Sequence, residues 1–194
     1  MMYPLLVFVH VAGAIGIFVA VAIEGVALRR LAVETTSAGA GTWLNLIGWS
    51  TRMMLVTSLV TIGAGGALMG MVWHRQPWID VTFAGIVVMA ILGGGVSGRR
   101  VRQLRALLAS EHGAELSGAF RQARSSGALV TSVVLRVATG LGIVALMTTK
   151  AAMAESALLL TAALIAGVAI SVVVQLRKNA SSASSVSLGA SSGT

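Results

Sequence analysis

The stretch PLLVFVHVAGAIGIFVAVAIEGVALRR, residues 4–30, decides the fold class of this chain. Residues 4–28 form an apolar run longer than the ~20 residues an α-helix needs to cross the hydrocarbon core of a bilayer. Arg29 and Arg30 close it with two charges that belong in water. No basic residue precedes the run, and it is about twice as long as the usual 7–15-residue core of a signal peptide, so a retained span is expected rather than a cleaved leader.

Four more runs of this kind follow, at residues 53–73, 78–98, 128–149 and 156–176. The stretch 43–73 is apolar but interrupted by Asn45, Ser50, Thr51 and Arg52. The span is therefore expected to begin at 53, with Trp43 and Trp49 before it at the membrane interface, where Trp is enriched. Pro77 cannot continue a helical hydrogen-bond ladder and marks a tight break after His74, Arg75 and Gln76. Residues 99–127 carry six arginines and two glutamates, a net charge of +4, and read as a loop. Within it Val101, Leu104 and Leu108 recur at helical spacing and Gly113 offers a C-terminal cap. That pattern fits a short amphipathic helix, either lying on the lipid surface or extending the third span. After Arg177 and Lys178, residues 179–194 are Ser/Ala/Gly low complexity, with too little apolar surface to offset ordering entropy, and are expected to be disordered. The expected fold is all-α: one polytopic transmembrane helical bundle of about five spans over residues 1–178.

Composition agrees, with 56% hydrophobic and 10% charged residues and a mean hydropathy of +0.91; a soluble chain has roughly 25% charged residues. The basic residues behind the net charge of +8 stand beside apolar spans, not on a soluble basic domain. Anionic lipid headgroups, met by Arg99, Arg100, Arg102, Arg105, Arg121 and Arg124, are the expected partner rather than nucleic acid. Cytoplasmic loops hold an excess of Lys and Arg. The first and third gaps and the tail hold most of them, while the second and fourth gaps hold only Arg75 and Lys150. This predicts a bacterial cytoplasmic (inner) membrane protein with its N-terminus outside and its tail in the cytoplasm. The absence of cysteine excludes disulfides, iron–sulfur clusters and Cys-ligated metals. No nucleophile–base pair, phosphate-binding loop or metal-ligand cluster of recognised spacing is present, so a soluble-type active site is not expected.

Ionisable groups inside spans cost about 2.5–3.5 kcal/mol each on insertion scales, so each needs a partner or a purpose. Asp80 lies at the edge of its span and reads as an interfacial cap. Arg136 is placed about 13 Å, and Glu24 about 6 Å, inside the cytoplasmic ends of their spans. A Glu24–Arg136 ion pair is expected, with Arg52 as the other candidate partner of Glu24. Its role is either a clasp fixing helix order or part of a proton or anion pathway. His10 lies 14 residues before Glu24, on the same face of the helix, in the outer half of the membrane. Transmembrane histidines ligate haem iron, and a second ligand would come from His74, Met69 or Met71; His112 falls on the other side. Haem b, copper and a hydrogen-bonded structural histidine are the alternatives for His10. Small-residue ridges at Ala12, Gly16 and Ala20, at Gly66 and Gly70, and at Gly94 and Gly98 suit close helix packing.

The opening Leu5-Leu6-Val7-Phe8-Val9-His10-Val11-Ala12-Gly13-Ala14 resembles the first helix of a loose group of small bacterial membrane proteins, which includes CopD-type copper-resistance proteins, HemJ-type haem-biosynthesis proteins and predicted families of unknown function. With Glu24 and Arg29-Arg30, the chain looks most like one of the uncharacterised families. The HemJ-type resemblance implies His10 as a haem ligand. The second ligand of that group is a lysine in a later helix, whereas Lys150 and Lys178 here lie at span ends.

Three functional classes follow: a structural or accessory membrane subunit, as a homo-oligomer or within a larger complex; a haem-binding protein using His10; and a small-solute or proton transporter using Glu24 and Arg136.

Overall fold

The computed structural model describes residues 2–74, 76–111 and 113–191. Arg75 and His112, and the side chains of Trp73 and of residues 178–191, lie outside the described residues. Helix α1 spans Met2–Val33, α2 Ser37–Leu68, α3 Pro77–Ala90, α4 Gly98–Ala109, α5 Gly118–Arg124, α6 Gly127–Thr149 and α7 Met153–Ser191. Two π-helical stretches, Met69–Trp73 and Ile91–Ser97, prolong α2 and join α3 to α4. Among the described residues, five helical units are long and apolar enough to cross a membrane: Met2–Val33, Ser37–Val72, Pro77–Ala109, Gly118–Thr149 and Met153–Arg177. The chain is an all-α, multi-pass membrane bundle.

The second helix begins at Ser37 rather than at 53, because nothing in between stops it. Thr36 caps it by accepting the Gly39 N–H at 3.2 Å, and the Ser50 and Thr51 hydroxyls turn back onto the Ile47 carbonyl at 2.9 and 2.8 Å. Asn45, Trp49 and Arg52 instead occupy its exposed face.

The segment 99–127 is largely helical rather than a loop, with non-helical stretches at 110–111 and 113–117. Pro77 stands at the start of α3, where its missing N–H costs nothing. The helix then runs through the π stretch into α4, whose Arg, Gln, Leu and Ala are strong helix formers. Of the two readings of the amphipathic pattern, it is the extension of the third helix: Leu104 is buried, with Val101 and Leu108 packed against the same core. The helix ends at Ser110, ahead of Gly113. Short α5 follows, capped by Ser117, which accepts the Phe120 N–H at 3.2 Å. At the other end of the chain, the α7 backbone runs on through Ser191 into the Ser/Ala/Gly segment, where no proline interrupts it.

Within the membrane-spanning part the helices approach through small residues, as expected where lipid gives no hydrophobic drive for association. On α1, Gly13 faces Thr57 and Thr61 of α2, and Gly16 faces Thr57. Gly142 of α6 meets Ala163 and Leu160 of α7, and Gly167 of α7 meets Ala138 and Leu135. Gly85 of α3 meets Ile143. The ridge residues Gly66, Gly70 and Gly94 have no neighbouring atoms where a Cβ would stand, so they are not the contact points that their spacing suggested.

At the arginine-rich end the helices extend past the spans into a cap with an apolar core that includes Leu31, Leu44, Leu104, Leu116 and Phe120. Its two turns are tied together. Ser37 N–H donates to Ala114 O at 2.9 Å, Leu116 N–H to Thr35 O at 3.2 Å, and Arg124 Nη1 to Leu31 O at 2.9 Å and to Glu34 O. The Glu34 carboxylate accepts the Thr35 and Thr36 N–H groups and the Thr36 hydroxyl. Those donors, the Thr36 N–H foremost, hold its pKa at about 2, below its ordinary 4.5.

Candidate functional site

Among the described residues, the buried charged side chains are Glu24 and Arg136, and they form an ion pair. Arg136 of α6 is 1% exposed and Glu24 of α1 is 3% exposed, and Arg136 Nη2 donates to Glu24 Oε1 at 2.6 Å. Glu24 stands on the stripe of α1 that also buries Gly13 and Val21, so the face turned inward carries the carboxylate. Arg136 faces it because Leu129, Ser132, Thr139 and Gly140 of α6 are buried on the same side.

Each guanidinium nitrogen has a further partner nearby. Nη2 lies 3.5 Å from Ser97 Oγ, Nη1 reaches Met54 Sδ of α2 at 3.5 Å, and Nε donates to Ser132 O at 3.3 Å. Ser97 Oγ donates to Ser132 Oγ at 2.9 Å, and Ser132 Oγ donates to Leu92 O at 2.8 Å. Gly93 borders the site, where a Cβ would stand in ordinary contact with Arg136 Nη1 at 3.6 Å and Met54 Cε at 3.4 Å. The π-helical stretch Ile91–Ser97 supplies Leu92 O, Gly93 and Ser97 together. Within it the Gly98 N–H reaches back to Gly93 O, five residues away.

The network thus joins α1, α2, the third helix and α6, with a net charge of zero. A shallow cleft between the π stretch, α6 and α7 reaches Ser132, whose hydroxyl is already bonded on both sides. Arg52 is exposed on α2 and, among the described residues, is not paired with Glu24.

His10 is partly buried between α1 and α2. Its Nδ1 donates to Thr61 O at 2.8 Å, and its ring lies against Gly65, where a Cβ would come within 2.9 Å. A carbonyl only accepts, so Nδ1 carries the proton of this bond; in the neutral ring that tautomer leaves the lone pair on Nε2. His74 is not brought to it. It is exposed, has a left-handed φ of 49° after the π turn, and lies nine residues beyond Gly65, about 13 Å along the helix. Asp80 sits in the first turn of α3, as an interfacial cap would. No group of three or more His, Cys, Asp or Glu residues that could hold a metal ion occurs among the described residues.

Sequence reasoning missed Ser97, Ser132 and Met54 as partners of Arg136. Only Ser132 had a signal, standing four residues before Arg136 on the same helical face. No family model matches the chain, and no curated protein or solved structure is detectably similar to it.

Proposed function

We propose that this chain is a structural or accessory subunit of the bacterial cytoplasmic membrane, acting as a homo-oligomer or within a larger complex, and that Glu24 and Arg136 form a clasp rather than a conduit. The supporting observation is the enclosure of the pair, because every guanidinium nitrogen has an acceptor and, among the described residues, no second titratable group is hydrogen-bonded to it. Proton transfer needs a chain of exchangeable groups, and a clasp needs none. The gathering of Arg29, Arg30, Arg99, Arg100, Arg102 and Arg121 at one end supports an orientation with that end in the cytoplasm and the N-terminus outside. In proteoliposomes under a pH gradient, proton flux is expected to match that of protein-free liposomes, and Glu24→Gln should leave it unchanged. A flux that requires the native protein and disappears with Glu24→Gln contradicts the clasp.

A second reading has its own support in the His10 hydrogen bond. Histidines that bind haem or copper hold one ring nitrogen on a backbone carbonyl and offer the other to the metal, which is the arrangement of His10 Nδ1 and Nε2. Protein expressed with haem supplementation and purified in detergent should then show a Soret band that His10→Ala removes. Absence of the band from the native protein would sink this reading.

A further inference from the structure

The arginines of the basic end divide into two groups by what their guanidinium groups touch. Arg124 is committed to the backbone, closing the end of α1 through Leu31 O and Glu34 O. Arg105 is anchored at one nitrogen, with Nη2 donating to Leu44 O at 2.9 Å across α2, directly over Gly48, where a Cβ would come within 2.3 Å of it. Arg102 lies back along its own helix toward the membrane, with Nη1 3.5 Å from the position of a Gly98 Cβ. Arg52 stands one turn past Gly48 on α2, on the same exposed side as Asn45 and Trp49. Leu44 and Leu104 are buried beneath, so Arg52, Arg102 and Arg105 rim the outward side of the groove between α2 and α4.

None of these three arginines has a carboxylate partner among the described residues. The nearby acids are turned elsewhere: Glu34 accepts from Thr35 and Thr36, and Glu111 from the Ser117 N–H. The groove therefore carries positive charge that the protein does not neutralise.

Its depth says what neutralises it. From Arg52 to Val72, and from Gly98 back to Pro77, the helices are each about 30 Å long, the thickness of the hydrocarbon core. The groove thus opens where one row of lipid phosphates lies, and Trp49, 55% exposed, stands at the same level, as interfacial tryptophans do.

We propose that the α2–α4 groove is a binding site for an anionic phospholipid, with its phosphate held by Arg52, Arg102 and the anchored Arg105 and its acyl chains along the apolar faces below. Gly48 and Gly98 leave room for the Arg105 and Arg102 guanidinium groups to lie close against the helices at this level. The site is independent of the clasp.

Full-length protein in a non-ionic detergent can be titrated with phosphatidylglycerol, phosphatidylcholine or inorganic phosphate and read by native mass spectrometry. Phosphatidylglycerol should bind in preference to phosphatidylcholine, and inorganic phosphate should not displace it. Arg52→Gln with Arg102→Gln should weaken phosphatidylglycerol binding by about 10- to 30-fold. The same charge change at Arg29→Gln with Arg30→Gln, away from the groove, should alter it by no more than about twofold. Both substituted pairs are exposed. Unchanged helical circular dichroism should confirm that the variants fold, and the single Arg102→Gln should show part of the loss. Equal weakening by the two double variants would mean diffuse attraction and overturn the site. So would equal binding of phosphatidylcholine, or displacement by inorganic phosphate, which would mark a site for free anions.

Discussion

Arg136→Leu alone should destabilise the protein by about 3–5 kcal/mol, because it strands the Glu24 carboxylate in a site that is almost fully buried. Glu24→Leu should do comparable damage by stranding the guanidinium. The double variant Glu24→Leu with Arg136→Leu should recover most of the loss, since two leucines need no solvation and the desolvation cost of the ions is gone. Thermal unfolding in one detergent, followed by circular dichroism, measures all three. The expected order places the double variant above both singles. Ser97 and Ser132 retain each other and Leu92 O when the guanidinium leaves, which limits the secondary loss in the double variant.

Gly13→Ala should be nearly as damaging, although it adds one methyl group. Its Cβ would stand 2.4 Å from Thr61 Oγ1 and 3.1 Å from both Thr57 O and Thr61 N. The Thr61 hydroxyl is itself tied to Thr57 O at 2.8 Å, so relief requires the backbones of α1 and α2 to separate. Overpacking of this kind costs about 1–3 kcal/mol. Gly66→Ala on the same helix α2 meets open space and should raise stability by up to about 1 kcal/mol through helix propensity. Measured side by side, the two substitutions should move the unfolding midpoint in opposite directions.

The fold class was legible in the sequence because lipid imposes a coarse rule: a spanning segment must be long, apolar and helical. Boundaries were less legible. Hydropathy drops at Asn45 and at Arg99, but polarity does not end a helix; only a missing donor or a cap does, and neither residue supplies one. The apolar pattern Val101, Leu104 and Leu108 was visible, yet its target, a core shared with Leu44 and Phe120 outside the spans, is a tertiary property. The glycine ridges misled for the same reason. Spacing marks a smooth surface on one helix, whereas contact depends on which helix lies opposite: Gly13 and Gly16 have one, Gly66 and Gly70 do not.

At the candidate site, Glu24 and Arg136 stood out because an isolated charge in a span is costly. Their proximity across α1 and α6 follows from burial, but the Ser97–Ser132–Leu92 chain depends on a π-helical stretch that apolar periodicity does not announce. His10 was visible as a residue, and its Thr61 partner was not, since a backbone carbonyl leaves no mark in sequence.

The clasp is tested most directly by the coupling energy between Glu24→Gln and Arg136→Gln, taken from the unfolding free energies of the native protein, the two single variants and the double variant in one detergent. A clasp predicts a double variant more stable than either single, with a coupling on the order of 2–3 kcal/mol. Two single losses that simply add, so that the double variant is the least stable of the three and the coupling is near zero, would contradict it.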